Sequence, residues 1–144
     1  MAKVLIVYAS RAGETQKIGE LIGEGIRIAG HEAVLQKASD VKKAEDLNGY
    51  DAYVFGSATY HGEMMQGMKT LLFLAEKAGL DKKVGGAFGA FGWSGEAPDR
   101  IFDTMKNIFN MSMVGGSLRL KASYIGGGVK MAQDYGREVA EKLS

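Results

Sequence analysis

Apolar residues follow two alternating patterns along the chain. Continuous apolar runs at 3–9, 51–57 and 83–91 are typical of strands buried on both faces of a sheet. Residues 32–38 alternate like another strand, and a fifth strand is predicted within 112–122. Stretches with apolar residues at helical spacing lie between them. Five strands alternating with about five helices predict an α/β fold with a mostly parallel sheet covered on both faces.

The predicted helices carry ordinary start and stop signals. Ile18, Ile22 and Ile26 share one helical face, and Gly30 follows as a typical C-terminal stop. Pro98 fits the first turn of a later helix, where its missing N–H is no loss. In a sheet of this kind ligands bind beyond the carboxyl ends of the strands. Functional residues are therefore expected in the loops at 10–15, 57–63 and 90–97.

The composition narrows the function classes. The 144 residues carry a net charge of +1 without a basic stripe, so nucleic-acid binding is not expected. The chain has no cysteine and two histidines, so neither a disulfide nor a metal site is predicted. No run approaches the roughly 18 apolar residues of a membrane span. We expect one domain over residues 1–144, cytoplasmic and monomeric, without membrane contact.

The loop after the first strand has the chemistry of an anion site. A strand that leads into the amino end of a helix leaves unpaired N–H groups and a partial positive charge. Ser10 and Thr15 add hydroxyl donors, and Gly13 lets the backbone fold closely around an oxyanion. The sequence is neither a Walker motif nor GxGxxG. The alternative is an ordinary turn in which Thr15 caps the helix.

The second and third loops place aromatic residues beside glycine. Tyr60 and His61 precede Gly62 at the end of a buried strand, and the single tryptophan, Trp93, lies between loop glycines. Tyr60 as a rim residue and His61 as a solvated loop histidine are the alternatives. Taken together, the three loops predict a ligand with a phosphate at one end and a flat ring at the other.

Three motifs at these spacings resemble a known family. "IVYASRAGET", "VFGSATYHG" and "GAFGWSGEAP" are similar to the phosphate loop and the two ring loops of short-chain flavodoxins, especially the flavodoxin-like domain of flavodiiron proteins. The resemblance covers the whole chain. It implies a flavodoxin-like doubly wound, five-stranded parallel sheet of order 2-1-3-4-5, with helices on both faces and a noncovalent FMN.

The resemblance also implies which residues hold the FMN. Those expected to enclose the phosphate are Ser10, Arg11, Ala12, Gly13, Glu14 and Thr15. Those expected to flank the isoalloxazine are Ala58, Thr59, Tyr60, His61, Gly62, Phe91, Gly92, Trp93, Ser94 and Gly95, with Tyr60 and Trp93 as the ring neighbours. The backbone of residues 60–62 is the candidate partner of flavin N5. Ala12 departs from the hydroxyl residue common at its place.

The implied function is an electron carrier rather than an enzyme, so no catalytic residue is assigned. Its expected partners are redox proteins such as reductases and iron–sulfur or flavodiiron-type proteins. The alternative is an FMN-dependent NAD(P)H:quinone reductase or a similar oxidoreductase, although no extra segment obviously supplies its second pocket. A phospho-acceptor receiver domain fails because acidic residues are missing after strands one and three. A binding module that has lost its cofactor is disfavoured by Trp93 and the intact loops.

Overall fold

A computed structural model describes residues 1–91, 95–122 and 126–143 and confirms the predicted α/β architecture. The strands are β1 Lys3–Ala9, β2 Glu32–Lys37, β3 Ala52–Ser57, β4 Thr59–Tyr60, β5 Glu63–Met64, β6 Val84–Ala90, β7 Ser112–Met113 and β8 Leu118–Leu120. The α-helices are α1 Glu14–Ile28, α2 Gln66–Glu76, α3 Glu96–Asn107 and α4 Gly128–Leu143. Two 3₁₀ turns, Ala38–Asp40 and Ala44–Leu47, follow β2 along the chain.

The main sheet has the predicted doubly wound order. Strands β2, β1, β3 and β6 are neighbours in that sequence, and both β7 and β8 pair with β6 at the fifth position. All of these pairings are parallel. Alternate residues of β1 enter opposite cores: Val4 and Ile6 pack with α1 and α4, whereas Leu5 and Val7 pack with α2 and α3. The continuous apolar sequence of β1 follows from this burial on both faces.

The fifth strand lies within the predicted range 112–122 but consists of two short pieces. β7 pairs with Val84 and Gly85, and β8 pairs from Phe88 onward. The buried Ala87 N–H between these pairings donates to the Tyr135 hydroxyl at 3.0 Å, and that hydroxyl donates to the Gly116 carbonyl at 2.7 Å. A side chain of α4 therefore replaces a missing rung of the sheet. Burial also raises the pKa of Tyr135 well above its ordinary value.

Helices α1 and α4 touch through glycine. A Cβ on Gly25 would collide with the backbone carbonyl of Gln133, and a Cβ on Gly136 would collide with that of Ile22. Any side chain at either position would push the helices apart. Glycine is therefore required here for close approach, despite its cost in a helix interior.

Candidate functional site

All three predicted loops meet beyond the carboxyl ends of β1, β3 and β6. They enclose an open cavity of about 210 Å³. Its lining comprises Ser10, Arg11, Ala12, Glu14, Thr15, Ala58, Thr59, Ala90, Phe91 and Lys121. The fold thus brings predicted phosphate-loop and ring-loop residues to one place, where a switch in strand order opens a crevice.

The first loop is shaped by its own hydrogen bonds. Ser10 Oγ accepts the Gly13 N–H at 2.9 Å, which closes the loop before α1 begins. Gly13 has a φ of 87°, a left-handed conformation that favours glycine, and is the N-cap residue of α1. The Lys17 N–H donates to the Gly13 carbonyl at 3.1 Å and starts the helical ladder. The amino end of α1 is thereby aimed at the cavity.

Thr15 is the most informative residue of this loop. It is 1% exposed, and its Oγ1 has no hydrogen-bond partner among the described residues. The interpretation of Thr15 as a helix cap is wrong, because Gly13 occupies that position and no side chain caps the helix. A buried hydroxyl without a partner costs about 1–3 kcal/mol. A ligand oxygen in the adjoining cavity would remove that cost, so the residues present fit a bound phosphate.

The second loop is a β-hairpin that the sequence analysis did not predict. Tyr60 pairs with Glu63 across the turn formed by His61 and Gly62. Both turn residues have positive φ, 51° for His61 and 74° for Gly62. Positive φ at both central residues is the mark of a type I′ turn, which matches the twist of a two-residue hairpin. The candidate N5 partner therefore belongs to an ordered turn.

Side chains at the base of the hairpin fix its position. Buried Ser57 accepts the Met65 N–H at 3.0 Å and donates to the Ala58 carbonyl at 2.9 Å. Thr59 Oγ1 accepts the Ala97 N–H at 3.1 Å. The Thr59–Ala97 hydrogen bond joins the hairpin to the first turn of α3, and the hairpin is consequently tied to the start of that helix.

Tyr60 is placed where a planar ligand could reach it. Its side chain is 48% exposed, and the His61 ring lies 4.3 Å away at an angle of 64°. The Arg11 guanidinium carbon lies 4.3 Å from the centroid of the Tyr60 ring, within the range of a cation–π contact. Arg11 thus bridges the phosphate loop and the ring loop, a contact the sequence did not predict.

The third loop is described at its two ends. The Phe91 N–H donates to the Leu120 carbonyl at 3.1 Å, which extends the β6–β8 pairing into the site. A Cβ on Gly95 would lie 3.4 Å from the Phe91 ring, so the two ends of the loop are in contact. Gly92, Trp93 and Ser94 lie outside the described residues, and the role of Trp93 stays a prediction.

Lys121 is a site residue that the sequence analysis missed. It follows β8 directly and lines the cavity next to the backbone hydrogen bond between Phe91 and Leu120. The ion pairs within the described part of the chain leave Lys121 without a carboxylate partner. Its position after the fifth strand was the available signal, but the loose bounds of that strand hid it.

The acidic residues of the hairpin and of α3 differ in whether they form ion pairs. Glu63 forms ion pairs with Lys69 at 3.7 Å and Arg100 at 3.8 Å. Asp99 pairs with Arg119 at 3.5 Å. Glu96, by contrast, has a buried Oε2 for which the described residues provide no hydrogen-bond donor.

A second cavity of about 360 Å³ lies on the other side of the first loop. Tyr8, Arg11, Lys37 and Ser39 contribute to its wall. Burial raises the pKa of Tyr8, and the charges of acidic neighbours add to the shift. The wall of this second cavity therefore carries two cations, Arg11 and Lys37.

The described residues contain neither a metal-binding cluster nor a membrane-spanning helix. No group of three or more His, Asp or Glu side chains there is arranged to hold a metal ion. No helix in the same ranges is both long enough and apolar enough to cross a membrane.

The fold and the site together define a class: doubly wound α/β proteins that bind a phosphate-bearing ligand at the switch point of the sheet. The chain belongs to the flavodoxin family, whose model matches residues 6–141. FMN is the cofactor of this family.

A solved structure of a flavodoxin from the domain Archaea superposes with a TM-score of 0.91 at 30% identity, covering 98% of each chain. A diflavin flavoprotein of Thermosynechococcus vestitus is 33% identical over 69% of this chain but only 18% of its own length. An NAD(P)H dehydrogenase (quinone) of Rhodopseudomonas palustris is 31% identical over 79% of this chain and 69% of its own. The chain thus spans about a fifth of the diflavin relative's length.

Proposed function

We propose that the protein binds one FMN and carries single electrons between redox proteins. The observation that carries this proposal is the buried Thr15 hydroxyl, which has no hydrogen-bond partner among the described residues and lies beside a cavity that all three loops line. The similarity in fold to an archaeal flavodoxin supports a carrier in which residues 1–144 form one FMN-binding domain. Its partners would be reductases and iron–sulfur or flavodiiron-type proteins, with the carrier acting as a monomer.

In this proposal the first loop binds the phosphate. Residues 10–15 would present backbone N–H groups at the positive end of α1, where an anion is stabilised. The Thr15 hydroxyl would gain the partner that it lacks among the described residues. Arg11 and Lys121 would supply positive charge, partly offset by Glu14 on the same wall. Ala12 contributes no hydroxyl.

The other two loops would hold the ring. Residues 58–62 and 91–95 would flank it, with Tyr60 and Trp93 against its faces. FMN supplies the reversible uptake of electrons, while the chain binds it, orients it and excludes water from it. The Thr59–Ala97 hydrogen bond would keep the spacing of the two loops constant. A fixed spacing suits a carrier because the protein need not rearrange to exchange an electron.

A second candidate is NAD(P)H-dependent quinone reduction. The similarity to the Rhodopseudomonas palustris protein favours it. The 360 Å³ cavity beside the first loop would be available for a second substrate, and Arg11 and Lys37 would suit an anionic one. A monomeric carrier has no need of such a pocket. Measurement of quinone turnover with NAD(P)H therefore decides between the two functions.

Two measurements test the proposal. Titration by fluorescence should show one FMN bound more tightly than riboflavin, because riboflavin leaves the donors of the first loop to water. Equal affinity for both would refute the phosphate site. The purified holoprotein should also oxidise NADH and NADPH negligibly in the presence of a quinone, yet exchange electrons with a reduced flavodoxin reductase. Steady quinone turnover with NADPH alone would favour the enzyme.

A further inference from the structure

The second cavity, of about 360 Å³, is separate from the proposed FMN cavity. It lies at the carboxyl ends of β1 and β2, where Tyr8 and Lys37 are register partners, whereas the FMN cavity lies beyond β1, β3 and β6. Ser10 and Arg11 line both cavities, so the first loop stands between them. The volume of the second cavity falls within the range of sites for small organic ligands, about 300–1,000 Å³.

The charges around the second cavity favour an anion. Arg11 and Lys37 line it, none of its described lining residues is acidic, and the ion pairs of the described chain include neither cation. Gly13 and Met65, the N-cap residues of α1 and α2, also lie in its wall, and neither helix has a side-chain cap. The positive ends of two helices therefore add to the two cationic side chains.

Tyr8 offers this cavity a hydrogen-bond donor that the fold does not use. The residue is 7% exposed and lines the cavity, and its hydroxyl makes no hydrogen bond with the other described residues. Burial and the nearby charges of Glu20 and Asp40 raise the pKa of Tyr8, which keeps the hydroxyl protonated. It is therefore free to donate to a ligand oxygen.

We propose that the second cavity binds a small organic phosphate, whose phosphate group is held by Arg11 and Lys37. The inference goes beyond the proposed FMN site, because it concerns a second ligand on the other side of the first loop. A phosphate monoester carries close to two negative charges at neutral pH, which two cations neutralise, and its oxygens accept several hydrogen bonds. Ala9, Ala38 and Met65 give the wall an apolar part against which the organic body packs.

The test titrates the protein with phenyl phosphate in a calorimeter, with and without saturating FMN. FMN fills the first loop from its own cavity, so binding measured in its presence reports on the second cavity. Phenyl phosphate should bind under both conditions. Inorganic phosphate and phenol should each bind at least about tenfold more weakly, because one lacks the apolar body and the other the charge.

Two outcomes of this titration would overturn the inference. Equal affinity for inorganic phosphate would exclude an organic ligand, and binding that FMN abolishes would assign the phosphate to the first loop. A protein that bound phenyl phosphate but not FMN would contradict the proposed function and leave this inference standing.

Substitutions locate the binding within the second cavity. Lys37→Ala should weaken phenyl phosphate about three- to tenfold, an effect limited by the exposure of this lysine to solvent. Tyr8→Phe keeps the buried ring, removes the donor and should cost a similar factor. Lys17→Ala is the matched control, because this exposed lysine near the start of α1 lines neither cavity. Unchanged affinity in either cavity variant, or an equal loss in Lys17→Ala, would overturn the inference.

Discussion

Removal of the Tyr135 hydroxyl should destabilise the protein strongly, although the change deletes a single oxygen atom. Tyr135→Phe keeps the ring that packs against Gly86 but removes both hydrogen bonds across the gap in the fifth strand. The buried Ala87 N–H would then lack a partner, at a cost of about 1–3 kcal/mol. The Gly116 carbonyl is only partly buried and can turn to water. The expected loss in the free energy of unfolding is therefore about 2 kcal/mol.

Urea denaturation of the apoprotein measures this loss directly, and the slope of the transition should stay unchanged. For a chain of this size, about 2 kcal/mol corresponds to a melting temperature lower by roughly 6–8 °C. Tyr50→Phe removes a hydroxyl from a half-buried ring in the loop before β3 and should cost less than about 0.5 kcal/mol. If Tyr135→Phe were as stable as this control, the hydroxyl would not be replacing a rung of the sheet.

Four further outcomes are expected. Thr15→Val keeps the side-chain shape and should weaken FMN about three- to tenfold in a fluorescence titration while leaving riboflavin unaffected; equal losses would contradict the phosphate contact. Gly62→Val places a β-branched residue at a φ of 74° and should lower the free energy of unfolding by about 1–3 kcal/mol in urea; wild-type stability would show that the turn tolerates the change. Trp93→Ala should partly restore flavin fluorescence, and an unaltered emission would make Trp93 a packing residue only. The pKa of Asp134 lies below its ordinary 3.8 because Lys130 donates a hydrogen bond to its carboxylate. The Asp134 carboxylate therefore contributes to stability above pH 3.8, and this contribution is lost as the pH falls through the lower pKa of the folded state. An NMR titration of the carboxyl group at the ordinary value would refute this.

The sequence predicted the framework because its signals are local. A strand buried on both faces must be apolar throughout, as in β1, and an amphipathic helix must repeat its apolar residues, as Ile18, Ile22 and Ile26 do in α1. The loops of interest followed from the strand order, since ligands bind at the carboxyl ends. Thr15 lies in the expected loop and lines the cavity, although its burial was not foreseeable, and its contact with an anion stays a prediction.

The missed features depend on contacts between distant residues or on very short elements. A hairpin of two-residue strands is too brief to show a period, and His61-Gly62 is not one of the Asn-Gly or Asp-Gly pairs that signal a two-residue turn. The position of Lys121 depends on how β8 aligns with β6. The gap in the fifth strand depends on a hydroxyl from Tyr135, 48 residues beyond Ala87. The local sequence pattern therefore does not predict any of these three features.

The glycine contact between α1 and α4 has a consequence for ligand binding. Backbone touches backbone at Gly25 and Gly136, so neither helix can shift without the other. The amino end of α1 carries the proposed anion site, and a ligand that binds only the folded state raises the free energy of opening by RT ln(1 + [L]/Kd). Because α1 and α4 are in contact, the free energy of opening should also rise for α4. Amide exchange in α4 should therefore slow when FMN binds, although no described residue of α4 lines the proposed FMN cavity.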